Sequence, residues 1–312
     1  MLRINGPSYR WQGESLTDDI VYIDDHHYNE YTGQFPVHSL IQTSVKAPLL
    51  VFDHLAHDDI LAQYPHIHMP VYLASETQKF NSQNIDPDWQ HKSHCFNFMI
   101  NKPRPNRLRL LHWVDQQKLT NRTHSLPWKH SPCHSISVTS GFLPGETPLE
   151  HGVLNGPYNN AEIYQRLLQR SVFEPSCVSA ITEPCYYERE SMITEKTLMA
   201  IWSGTIPVWI GGWRLPDVMR DLGFDVFDDI VDHSYSTLEQ ADSRCTTAMT
   251  ANIALFRDFD LVRDFLATNQ HRLLHNLCLL RSNPFLAQVK LHVAQDPRLE
   301  KIARWWGLHI DQ

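Results

Sequence analysis

Residues Met192 to Gly212 constrain this chain more than any other stretch. They read as the capped start of a helix that runs, through one glycine, into a short apolar strand. Thr194 is a residue type that caps backbone N–H groups, Leu198, Ile201 and Trp202 fall at i, i+3 and i+4, and Gly204 supplies the stop. The pattern predicts a short helix with one wet face. Thr205 to Ile210 is β-rich, apolar on both faces and bounded by Gly211 and Gly212, which suits the middle of a parallel sheet. Pro207 lacks an N–H and belongs among the first residues of such a strand.

Glu195 and Lys196 then sit in the first helical turn, where unpaired N–H groups and the positive end of the helix dipole favour an anion. A cation is misplaced there unless an anionic ligand compensates it, so Lys196 suits a diphosphate better than it suits the helix. The alternative is a solvated Glu-Lys pair on a surface turn.

The block resembles the donor-binding signature of the α1,3-fucosyltransferases, whose Thr-Glu-Lys core is matched by Thr194, Glu195 and Lys196 and whose following strand is matched by Gly204 to Val208. The resemblance implies that Glu195 holds the ribose of a sugar nucleotide and Lys196 its diphosphate. Upstream, Val178 to Glu183 stands for a second family strand, with Glu183 retained where the family also has Phe and Asn. A further block, Phe96 to Arg107, reads as a strand, a Pro-broken turn and a helix start with Leu108, Leu111 and Val114 at roughly helical spacing. It is similar to a fucosyltransferase strand with an Asn and, six positions on, an Arg at the helix start; Asn101 and Arg107 have that separation. The likeness assigns the diphosphate to Arg107, and a guanidinium forks two phosphate oxygens and stays charged. The tail, from Leu222 to Phe227 with Tyr235 and Arg244, also resembles a broad set of phage and bacterial glycosyltransferase-like chains.

At 312 residues, 42% hydrophobic and 20% charged, the chain has the size and composition of two ordinary α/β domains. It carries no apolar leader and no run of transmembrane length, which predicts a cytoplasmic protein. Six scattered cysteines without a C-x-x-C predict reduced thiols. The net charge of −8 is unevenly spread: residues 92–130 hold eight Lys and Arg against Asp115 alone. That basic island serves a donor diphosphate, a nucleic-acid backbone with Trp113 and Trp128 for stacking, or simply a solvated helix face.

In the N-terminal region Val21–Asp24, Leu49–Phe52 and Val71–Ala74 read as parallel strands, alternating with brief helices at 39–46 and 58–64. Ligands of open α/β sheets bind beyond the carboxyl ends of the strands, so Asp25, His26, His27, Asp53, His54 and Glu76 would share a rim. A glycosyl transfer needs a base there to take the acceptor's proton. Asp25, Asp53 and Glu76 compete for that role, Asp53 and Glu76 slightly ahead because each directly follows a strand. The same Asp and His clusters offer metal-ligand types without a metal-ligand spacing.

Further on, Ser236 to Glu239 has the pattern of a capping box opening a helix, Leu215, Val218 and Leu222 mark a helix that Gly223 ends, and 251–280 is helix-rich. These residues read as architecture. The resulting expectation is an α/β protein of GT-B type, two Rossmann-like domains facing across a cleft. An acceptor-side domain covers 1–150 and a nucleotide-sugar domain with a helical tail covers 151–312, their boundary near Gly141–Asn160. The expected activity is metal-independent transfer, inverting if the likeness extends so far, from a GDP- or UDP-sugar to a glycan, a lipopolysaccharide or a hydroxymethylated pyrimidine in phage-type DNA. The alternative is a non-catalytic nucleotide-sugar or nucleic-acid binding module.

Overall fold

The computed structural model describes residues 2–5, 21–24, 50–52, 55–56, 66–82, 89, 91–100, 105–125, 172–183, 190–191 and 193–310. Within them the protein is α/β, built on two four-stranded parallel sheets. The chain divides into two compact units: Met1–Ser82, Arg189–Ile193 and Asn283–Gln312 form the first, Gln83–Glu188 and Thr194–Ser282 the second. A boundary near 141–160 does not describe this division. Strands on both sides of it share one sheet, and the C-terminal helices belong to the first unit.

The first unit's strands are β1 (Leu2–Asn5), β2 (Val21–Asp24), β3 (Leu50–Phe52), β4 (Leu55–Ala56) and β5 (His66–His68). β1-β2-β3-β5 run parallel in that order, whereas β4 pairs antiparallel with a strand at Glu190–Ser191. The strands expected at 21–24 and 49–52 are therefore present. Val71–Ala74 is not a strand but the first turn of α1 (Val71–Ser82), seven of whose twelve residues are buried. A four-residue apolar run fits a buried helix turn as well as a strand, and the sequence beyond Ala74 continues at helical spacing to the buried Phe80. Asn283 ties α1 to the C-terminal helices, donating from Nδ2 to the Ala74 carbonyl at 2.9 Å and accepting from the Leu286 N–H at 3.0 Å. Trp306 packs its ring edge on Tyr72, with ring centroids 6.0 Å apart.

The second unit contains β6 (His94–Met99), α2 (Pro105–Gln116), β7 (Arg122–Ser125), β8 (Ser176–Ile181), α3 (Glu195–Trp202), β10 (Ile206–Trp209) and α4 (Leu215–Asp221); the Glu190–Ser191 strand, β9, belongs to the first unit. A helical layer follows: α5 (Ala241–Ala251), α6 (Ile253–Arg257), α7 (Phe259–Thr268) and α8 (Gln270–Arg281); α9 (Pro284–Gln295) and α10 (Glu300–Trp305) complete the first unit. The sheet order is β10-β8-β6-β7, all parallel. β10 is thus the outermost of the described strands rather than a central one, which is where Pro207 costs no ladder hydrogen bond.

A buried polar thread fixes the register of this sheet. Asn97 Nδ2 on β6 donates to Ser179 Oγ on β8 at 3.0 Å, Ser179 lies 2.7 Å from Thr205 Oγ1, and Thr205 donates to the Ala200 carbonyl at 3.0 Å. Each hydroxyl both gives and receives, so none is orphaned. On the opposite face of β6, Phe96, Trp113 and Phe256 meet edge to face at 5.2 and 5.7 Å, each pair worth roughly 1 kcal/mol beyond its buried area. Trp113 is a core residue and is spent in this cluster; Trp128 lies outside the described residues.

α3 has no wet face. Every residue from Lys196 to Trp202 is buried, because the helix lies between the sheet and α8. Gly204 ends it at φ +60, and a Cβ there would stand 2.5 Å from Trp89 Nε1. Gly204→Ala combines left-handed backbone strain with a clash against an indole ring. It is expected to destabilise the second unit by about 2 kcal/mol, read as a lower midpoint in urea with unchanged slope. The capping-box pattern at Ser236–Glu239 opens no α-helix: Ser234–Thr237 is a 3-10 turn, and α5 begins at Ala241 after an extended Gln240.

Candidate functional site

Two helices begin at the same place. β6 and β8 are the first and third strands of the second unit yet lie side by side, and the sheet continues from β6 to β7 on one side and from β8 to β10 on the other. The connections leaving their carboxyl ends part in opposite directions, and that crevice is where open α/β sheets bind ligands. α2 starts just after β6 and carries Asn106 and Arg107 in its first turn, whereas Thr182 and Glu183 extend β8 and α3 carries Glu195 and Lys196 in its first turn.

Side chains connect these positions into one cluster. Arg107 is 3% exposed and points Nη2 at the Thr182 carbonyl, 3.4 Å away. Asn106 Nδ2 donates to the Glu183 carbonyl at 3.1 Å, and its Oδ1 accepts from the Arg107 N–H at 3.0 Å. Glu183 is almost fully buried. Its Oε1 accepts from the Thr194 N–H at 2.9 Å and from Thr197 Oγ1 at 2.7 Å, while Oε2 accepts from Thr194 Oγ1 at 2.5 Å. Thr194 is the N-cap of α3 as the sequence predicts, although its hydroxyl is a long 3.4 Å from the Lys196 N–H.

Lys196 Nζ lies 2.6 Å from Glu195 Oε1 and 3.3 Å from Thr194 Oγ1. The two side chains are 6% and 24% exposed, so the Glu-Lys pair is not a solvated surface turn. Burial drives the Glu183 carboxyl above the usual carboxylate range, against the opposing pull of Lys196 and the two threonine hydroxyls. Three donors thus converge on a carboxylate that its surroundings make costly to ionise.

The carboxyl end of β10 forms the neighbouring wall. Trp209 Nε1 donates to Thr197 Oγ1 at 3.0 Å, and the His233 ring lies tilted 6.1 Å from the Trp209 ring. His233 Nε2 meets the Val226 carbonyl at 2.9 Å, which assigns the proton to Nε2; burial lowers its pKa and favours the neutral ring. Arg244 has no exposed surface. It holds the turn after β10 by donating Nε to the Gly211 carbonyl at 3.1 Å and Nη1 to the Leu238 and Glu239 carbonyls at 2.8 and 3.0 Å. Thr197, Asn106, Trp209 and His233 carried no signal of this role, since each becomes informative only through partners distant in sequence.

Of the residues expected at the site, Arg107, Glu183, Thr194, Glu195 and Lys196 come together. Asn101, Asp25 and Asp53 lie outside the described residues, as do His26, His27 and His54. Glu76 does not follow a strand; it sits inside α1, buried and 2.7 Å from Lys79 Nζ, so the premise that made it a candidate base does not hold.

Four members of the basic island are engaged within the fold. Arg107 is buried, Arg109 pairs with Asp242 at 2.7 Å, Lys92 donates to the Ser203 carbonyl at 2.8 Å, and burial lowers Arg122 to about 10. Among the described residues no group of His, Cys, Asp and Glu is arranged to hold a metal ion, and no helix is long and apolar enough to cross a membrane. The described cysteines are free, and burial pushes the thiols of Cys95 and Cys245 to about 12 and Cys177 to about 11, which makes them inert.

Comparison with protein-family models, with curated proteins and with solved structures gives no match.

Proposed function

We propose that the second unit carries the donor site of a nucleotide-sugar-dependent glycosyltransferase of GT-B type. Lys196 and Arg107 receive the diphosphate and Glu195 the ribose. The observation that carries the reading is the convergence of two buried cations, from the first turns of α2 and α3, on the carboxyl ends of β6 and β8. Two helix N-termini and two fixed charges at a switch point favour a group with more than one negative charge. The likeness to α1,3-fucosyltransferases at Thr194, Glu195 and Lys196 supplies the reaction class.

In the proposed step the acceptor oxygen bonds to the anomeric carbon as the bond from that carbon to the diphosphate breaks. The leaving diphosphate takes the electron pair, and Lys196 and Arg107 stabilise the growing charge. The acceptor's proton passes to a carboxylate of the N-terminal region, with Asp25 and Asp53 the remaining candidates. Inversion at the anomeric carbon goes with this single displacement.

Engagement of Lys92, Arg107, Arg109 and Arg122 within the fold favours a glycan or lipopolysaccharide acceptor over phosphate tracking along DNA. Incubation with a panel of GDP- and UDP-sugars is expected to give slow hydrolysis of one donor and so to identify it. Binding of donor with no turnover, with or without a glycan acceptor, would instead make the protein a nucleotide-sugar binding module. Duplex-DNA affinity falling steeply with salt would restore the modified-pyrimidine acceptor.

A further inference from the structure

Glu183 is the buried charge that the donor chemistry leaves unused, and its surroundings assign it a different task. The direction of each hydrogen bond is fixed. Trp209 Nε1 is only a donor, so Thr197 Oγ1 accepts from it and turns its own proton to Glu183 Oε1. Lys196 Nζ is likewise only a donor, so Thr194 Oγ1 accepts from it and turns its proton to Glu183 Oε2. The Thr194 N–H completes the set. Among the described residues, the donors facing the carboxylate belong to the first turn of α3 or its cap.

We infer that Glu183 is a positioning residue: it clamps the first turn of α3 to the end of β8, through Thr194 and Thr197, and thereby sets where Lys196 stands without touching the ligand. The role of Lys196 in this statement rests on the donor reading above, whereas the clamp does not. Among the described residues, the charged groups around Glu183 are Lys196 and Glu195 on α3 and Arg107 on α2; His233 stands behind Trp209 on the β10 side. An anion on Lys196 withdraws the cation that favours ionised Glu183, so binding takes up a proton. By reciprocity, anion affinity falls as pH rises through the Glu183 pKa. The sign matches the burial-driven upward shift.

The test uses the full chain with Glu183→Gln, Glu183→Ala and Thr197→Val, and GDP and UDP as probes. Hydrogen exchange without ligand is expected to rise at least about tenfold at residues 195–198 in E183A, less in T197V, and little in E183Q, with β6 and β8 unchanged. Nucleoside diphosphates titrate in the same pH range, so the second readout is the ratio of wild-type to E183Q affinity. That ratio is expected to fall about tenfold from pH 5 to pH 8. Unchanged exchange in E183A, or in T197V should E183A not fold, overturns the clamp, and a pH-independent ratio overturns its coupling to Lys196. Loosened exchange in a protein whose wild type binds neither GDP nor UDP upholds the clamp and overturns the donor reading.

Discussion

Lys196→Ala is expected to lower kcat/KM for donor hydrolysis by roughly 10²–10³-fold, the range seen when one preorganised donor to a developing oxyanion is removed. The ground-state part is smaller: a charge-assisted hydrogen bond contributes about 1.5–3 kcal/mol, or roughly 10- to 150-fold in affinity. The remainder appears in kcat, because the leaving diphosphate gains charge as the glycosidic bond breaks. Lys196 Nζ donates to Glu195 Oε1 at 2.6 Å, so a bound diphosphate must share or displace that contact. Lys196→Arg is not expected to rescue, since a buried ammonium site does not accommodate a planar fork. The same variant has a pH signature. Loss of Lys196 removes a group that holds the Glu183 pKa down, so the folded state keeps its proton to higher pH. An acid raised in the folded state makes stability fall as pH rises from its unfolded to its folded pKa, and K196A widens that window upward. Melting at pH 5 and pH 8 checks this: the deficit of K196A relative to wild type grows with pH. Unchanged turnover in K196A would remove Lys196 from the site.

What the sequence made legible is local. The cap at Thr194, the helix through Trp202, the left-handed Gly204 and the place of Pro207 early in its strand all follow from signals within a few residues of the feature they control, whereas the outer position of that strand in the sheet does not. Val71–Ala74 failed because a short apolar run does not distinguish a strand from a helix turn. Glu183 was legible only in part. Its position at a strand end was legible, but its partners lie 11 and 14 residues away across a connection whose course no local pattern encodes. Trp113 and Arg109 joined a basic, aromatic-containing stretch on paper, yet one packs against Phe256 and the other pairs with Asp242. Composition shows which chemistry a segment can offer, and only tertiary packing shows which of it the fold consumes.

Arg244→Ala is expected to cost about 3 kcal/mol, the largest stability effect of any single change considered, because it removes a buried side chain that donates to three backbone carbonyls, that of Gly211 in buried surroundings. The Gly211 carbonyl is then left without a donor in buried surroundings, whereas those of half-buried Leu238 and exposed Glu239 have to turn to water, and the cation stacked 5.4 Å from the Trp213 ring is lost as well. In melting the change corresponds to a drop of roughly 10 °C. Arg244→Lys is not expected to recover it: a lysine supplies a point charge on a flexible stem, whereas Gly211 lies on one side of the guanidinium and Leu238 and Glu239 on another. Gly211 follows the end of β10, whose Trp209 holds Thr197 and, through it, Glu183. R244A is therefore expected to weaken nucleoside diphosphate binding about tenfold at temperatures where the protein is still folded, measured by calorimetry beside far-UV circular dichroism. A variant that melts lower but binds as wild type would separate the turn at Gly211 from the site and leave Arg244 a purely structural cation.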